Sequence, residues 1–109
     1  MTDCLFCKIA AGTIPVTPIF EDDRVIAFAD INPQAPTHFL VIPREHFADV
    51  TQVPAELLGH LLHAAARLAE TQLPHGHRIA INTGPDGGQT VQHVHLHVLG
   101  GRPMGWPPG

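Results

Sequence analysis

An α+β fold, a five-stranded antiparallel sheet with one short and one long helix, follows from three features of this 109-residue chain. Short β-rich runs fill its first half, one apolar stripe at helical spacing occupies its middle, and histidines alternate with aliphatic residues near its end. With 44% apolar residues and no long biased tract, residues 1–109 fit a single compact domain whose last stretch, 100–109, is a loose tail. Both helices are expected on one side of the sheet.

The elements follow in order. Asp3 is placed to cap a short helix through Leu5, Phe6 and Ile9, Gly12 stands where a left-handed C-terminal residue is wanted, and Pro15 prevents continuation. Strands are expected at Pro18 to Glu21, Val25 to Asp30 and His38 to Ile42, separated by Glu21-Asp22-Asp23-Arg24 and by Asn32-Pro33-Gln34-Ala35-Pro36. From about Pro54 to Leu73, the residues Leu57, Leu58, Leu61, Leu62, Ala65, Leu68 and Ala69 recur at three- and four-residue spacing, which predicts a helix covering one sheet face. Arg78 to Asn82 alternates as a fourth strand, Thr83 to Gln89 is a glycine-rich loop, and Val91 to Leu99 is the fifth strand.

Six Lys and Arg against ten Asp and Glu give a formal charge of −4, which excludes the broad basic surface of a nucleic-acid binder. A phosphate-bearing partner should therefore be small. No apolar run approaches the roughly 20 residues needed to span a bilayer, and the first residues lack a basic-then-apolar signal pattern, so a cytoplasmic protein without membrane attachment is expected. Cys4 and Cys7 lie within one turn of chain, which suits a thiol pair or metal half-site better than a structural bridge.

On a strand, His93, His95 and His97 project to one face and Val94, Leu96 and Val98 to the other. Three chemistries are open to such a face: a solvated polar surface, a metal site, or nucleophilic catalysis on phosphorus. At about 3.4 Å per residue, His93 and His97 stand roughly 13 Å apart along a strand, too far for all three rings to share one tetrahedral zinc with bonds of about 2 Å. A neutral imidazole, with an ordinary pKa near 6.5, is available as a nucleophile at pH 7, and its neighbours can donate hydrogen bonds to phosphate oxygens. The loop Asp86-Gly87-Gly88-Gln89-Thr90 offers unobstructed backbone N–H groups to an anion, although a plain hairpin turn accounts for a double glycine equally well.

The run Gly87-Gly88-Gln89-Thr90-Val91-Gln92-His93-Val94-His95-Leu96-His97-Val98-Leu99-Gly100-Gly101-Arg102 resembles the histidine triad signature. Phe20-Glu21-Asp22-Asp23-Arg24, Asp30 through His38 and Leu40-Val41-Ile42-Pro43 are similar to the same family's early strands. The resemblance runs from about Cys4 to the last residue and points to the purine nucleoside phosphoramidase branch. It implies a homodimer whose two sheets join into one, and hydrolysis of adenosine 5′-phosphoramidates and related adenylates. On matching positions it makes His95 the nucleophile and His97 its phosphate-binding, proton-handling partner, with His38 and His93 supporting the imidazole network. Asp30 would hold the ribose hydroxyls. Leu5, Phe6, Ile9, Phe28 and Ile31 would surround the purine, and Asn82, Gly88 and Thr90 would touch the phosphate. The branch often has Ser where this chain has Thr90. No catalytic divalent metal is implied, because imidazoles and backbone donors handle the charge.

Other bacterial and archaeal members of this family carry a Cys-x-x-Cys at the positions of Cys4 and Cys7. By that resemblance Cys4, Cys7, His46 and His93 form a closed Cys2His2 set suited to structural zinc, the alternative being two reduced thiols and a loop histidine. His60, His63, His75 and His77 are expected on the surface, and Trp106, with Pro107 and Pro108, resembles the family's C-terminal tail. Two other functions remain open: a dinucleoside polyphosphate hydrolase or nucleotidyl transferase using the same strand, and a nucleotide-binding scaffold dimer. His97 weighs against the transferases, whose members tend to carry Gln there.

Overall fold

A computed structural model describes residues 3–109. The elements are α1 (Leu5–Ala10), β1 (Pro18–Glu21), β2 (Val25–Ala29), β3 (Thr37–Pro43), a 3-10 turn (Val50–Gln52), α2 (Ala55–Gln72), β4 (His77–Ile81), α3 (Gly84–Gly87) and β5 (Leu96–Gly100). All strand pairs are antiparallel, in the order β1-β2-β3-β5-β4, so β3 and β5 occupy the middle of the sheet and β1 and β4 its edges.

α1 and α2 pack on opposite faces, which corrects the expectation of helices on one side. Side chains alternate along each strand. Val25, Ala27, Phe39, Val41, Leu96 and Val98 face α2, while Ile26, Phe28, Leu40 and Ile42 face Phe6 and Ile9 of α1. β2 and β3 are apolar on both faces because each face carries a helix. The buried stripe of α2 consists of Leu57, Leu61, Ala64, Ala65 and Ala69; Leu62 stands 38% exposed, so the stripe is centred one position away from it.

Asp3 does not cap α1. Cys4 does, its Sγ accepting the Cys7 N–H at 3.3 Å. Gly12 has φ +80° and closes the helix as expected. At the same end Arg44 donates to the Ala10 carbonyl at 2.9 Å and to the Glu21 carboxylate at 2.8 Å, so α1 is fastened to the sheet. Across the sheet, His60 on α2 is not simply a surface residue: it bonds the Asp22 carboxylate at 2.8 Å.

The fifth strand is shorter than the sequence suggests, beginning at Leu96 and not at Val91. Its missing ladder bonds go elsewhere. The Pro43 carbonyl accepts from the His93 ring, the His93 carbonyl accepts from the His95 ring, and the Val94 N–H goes to the Phe47 carbonyl at 2.7 Å. Two imidazoles and the Phe47 carbonyl have taken the backbone groups that would have extended the β3–β5 pairing.

Candidate active site and metal centre

The site histidines divide into two groups on the α1 side of the sheet. His97 lies in β5 opposite Leu40, and His38 lies on β3 opposite Leu99, so both rings start from the two central strands. The His95 and His97 ring centres are 4.9 Å apart, and those of His38 and His97 are 5.2 Å apart.

The hydrogen bonds fix the protons. A carbonyl can only accept, so the 2.7 Å contact between His95 Nδ1 and the His93 carbonyl places a proton on Nδ1 and leaves the lone pair of the neutral ring on Nε2. Gln34 N–H donates to His38 Nδ1 at 3.0 Å, which puts the His38 proton on Nε2. That atom faces His97 Nδ1 at 2.9 Å and the Asp30 carboxylate at 3.4 Å. His97 therefore accepts at Nδ1 and carries its own proton on Nε2. The neutral network thus presents one bare nitrogen, on His95, beside one N–H, on His97.

Burial favours the neutral form of His95 and His97. It holds His95 below the ordinary imidazole value, opposed by the hydrogen bond to His93 and by the charge of Asp30. His97 is pushed down to about 4, by burial first and then by the neighbouring His95 and His38. The unfolded chain then takes up this proton first as pH falls, so the contribution of His97 to stability is complete above about pH 6.5 and is lost progressively toward about pH 4. The difference amounts to at most about 3 kcal/mol. Urea unfolding should show the loss across that window, and a His97→Gln variant should show a shallower one; an equal slope in both would contradict the assignment.

His93 belongs to the second group. Its side chain is fully buried, its Nε2–H donates to the Pro43 carbonyl at 2.9 Å, and burial lowers its proton affinity. Nδ1 is thereby left with a lone pair. It lies 3.3 Å from Cys4 Sγ, 3.5 Å from Cys7 Sγ and 3.3 Å from His46 Nδ1, while Cys7 Sγ and His46 Nδ1 are 3.3 Å apart. Zinc bonds of about 2.1 Å to nitrogen and about 2.3 Å to sulfur imply tetrahedral edges of about 3.4–3.8 Å. The four donor atoms, all within 4.8 Å of one another, fit such an ion. Asp30, His38 and His97 form a second close set, joined by the His38 proton.

The remaining candidates are spread around this centre. Phe6, Ile9 and Phe28 are buried together, Phe6 and Phe28 edge to face at 5.9 Å, and the Phe6 ring also meets His95 edge to face at 5.0 Å. Leu5 is 45% exposed and Ile31 completely so; this chain alone does not gather them with the three buried side chains. Asp30 is half-buried, its Oδ1 taken by the Asn32 N–H at 2.8 Å. Asn82 is half-buried just beyond β4, and Gly88 and Thr90 are exposed.

Sequence reasoning missed Gln89. It is buried, and it pins the 84–90 loop by accepting from Gly84 N–H and donating to the Ala48 and Val91 carbonyls. A glutamine between a double glycine and a threonine carries no periodic signal that would mark it.

A family model described as HIT domain matches residues 11–104. The chain belongs to the HIT domain family. Among HIT relatives, it is 50% identical to an uncharacterized HIT-like protein of Synechococcus elongatus over 98% of this chain and 97% of that protein. It is 48% identical to a 14 kDa zinc-binding protein of Zea mays, covering 96% of this chain and 87% of the relative. A crystal structure of a HIT family hydrolase from Legionella pneumophila superposes with a TM-score of 0.93 at 52% identity, covering 98% of this chain and 100% of the other. Among the described residues, no helix is long and apolar enough to cross a membrane.

Proposed function

We propose that this HIT protein is a hydrolase of the purine nucleoside phosphoramidase branch, cleaving adenosine 5′-phosphoramidates and related adenylates at the α-phosphorus. The carrying observation is the 2.7 Å bond that commits His95 Nδ1–H to the His93 carbonyl and leaves Nε2 as a neutral nucleophile. The Legionella relative, named a hydrolase, supports the reaction class.

In the first step His95 Nε2 attacks phosphorus, the P–N bond breaks, and the departing amine takes a proton from His97 Nε2–H. The bound phosphate raises the proton affinity of the His97 ring beside it, so His97 holds one extra proton in the complex and can give it up. In the second step water attacks phosphorus, the His95–phosphorus bond breaks, AMP leaves, and a proton of the water returns to His97. Asp30 holds the ribose, Leu5, Phe6, Ile9, Phe28 and Ile31 contribute to the base site, and Asn82, Gly88 and Thr90 contact the phosphate.

Zinc in a structural role is assigned to Cys4, Cys7, His46 and His93, whose spacing and donor chemistry fit it and which a zinc-binding relative supports. It would supply a cross-link between α1 and the segment ahead of β5. A reducing cytoplasm suits the two thiolates. Among the described residues β4 hydrogen-bonds only to β5, which leaves an outer edge suited to a second copy continuing the sheet. An adenosine 5′-phosphoramidate should be turned over with a higher kcat/KM than diadenosine polyphosphate. Turnover of neither would overturn the hydrolase reading, and the reverse order would move the protein to the polyphosphate-cleaving class.

A further inference from the structure

We propose that the Cys4, Cys7, His46 and His93 centre, when it holds its metal, positions the nucleophile as well as cross-linking the fold. The inference rests on the reading of His95 as nucleophile, and it makes His46, Cys4, Cys7 and His93 positioning residues that never touch substrate.

Two links join the centre to His95. The first is a single residue long. The His93 ring faces the donor cluster through Nδ1 and is tied to the Pro43 carbonyl through Nε2, while its own carbonyl takes the His95 Nδ1–H at 2.7 Å. Ring and carbonyl share one Cα, so a change in the seat of the ring moves the acceptor that decides which His95 nitrogen is bare and where it points. The second link runs through α1. This helix has six residues, too few to be stable alone; Cys4 caps it, and it carries Cys7 together with Phe6, whose ring meets His95 at 5.0 Å and His93 at 5.9 Å. Arg44 holds its C-terminal end, and the cysteines hold its beginning. Without the metal the Phe6 side of α1 is loosened, and His95 loses both the acceptor that orients it and the ring that shields it from water.

Displacements of about 1 Å in a reacting group, or loss of an orienting partner, lower rates by about 10- to 100-fold. His46→Ala removes a ligand remote from the reacting atoms, and His46→Cys restores a fourth donor. Metal content, kcat and KM for an adenosine phosphoramidate, and the 15N signals of His95 should be measured in both variants and in the wild type. The expected result is that His46→Ala loses metal and its kcat falls about 10- to 100-fold with KM little changed. Its His95 signals should shift from a single Nδ1–H form to a mixture, and His46→Cys should restore all three. A folded, metal-free His46→Ala protein with wild-type kcat and wild-type His95 signals would overturn the proposal. If His46→Ala does not fold, wild-type protein loaded with the larger cadmium ion takes its place: shifted His95 signals support the coupling, and unchanged signals overturn it. Wild-type protein without turnover defeats the hydrolase reading alone, because the His95 signals still report whether metal sets its protonated nitrogen.

Discussion

Replacing His95 by alanine should lower turnover of an adenosine phosphoramidate by at least about a thousandfold, with KM changed far less. The substitution removes the proposed attacking atom, and among the described residues no neighbouring ring is placed to replace it. His97 Nδ1 is occupied by the His38 N–H, and His93 is turned toward the cysteines. The cost to folding is smaller. One buried ring is lost and the His93 carbonyl is left without its donor, which together should cost a few kcal/mol at most, about 1–3 for the unsatisfied carbonyl. Circular dichroism should show a folded variant beside an inactive one. Retained turnover in folded His95→Ala protein would remove the proposed mechanism.

The second large effect concerns stability. Cys4→Ala should abolish equimolar zinc in the purified protein and lower the melting temperature by well over 10 °C. Closed zinc sites in small domains contribute about 10 kcal/mol, comparable with the whole stability of an ordinary domain. The substitution also deletes the helix cap that Cys4 Sγ gives to Cys7 N–H, a further loss of about 1 kcal/mol. Chelation of the wild type should reproduce most of the shift. Metal-free Cys4→Ala protein melting with the wild type would show that the four donors pack well without an ion.

The sequence was most informative where a pattern repeats. β-rich runs placed the first three strands and alternation the fourth, each to within a residue, alternation misplaced the start of β5, and the leucine spacing placed α2 almost end to end. It failed where a choice depends on partners far along the chain. Leu5, Phe6 and Ile9 announce a helix but not which sheet face it covers, because that is decided by Ile26, Phe28, Leu40 and Ile42 offering a second apolar face. The early residues of the fifth strand alternate correctly, yet the carbonyls of Pro43 and His93 are taken by imidazoles, and no local propensity reveals that competition. In the site, the triad and the cysteine pair were visible as motifs, whereas Gln34, Gln89 and the Pro43 carbonyl act through backbone hydrogen bonds that leave no mark in composition.

The central claim is a covalent bond between His95 Nε2 and the α-phosphorus, and trapping it is the most direct measurement. Wild-type protein mixed rapidly with an adenosine phosphoramidate, quenched under alkaline conditions that preserve phosphorus–nitrogen bonds, and digested for mass spectrometry should yield an adenylyl group on the peptide containing His95. Fragmentation should place it on that residue. An adenylyl group on His93 or His97, or rapid AMP release with no adenylated peptide at any mixing time, would contradict the account.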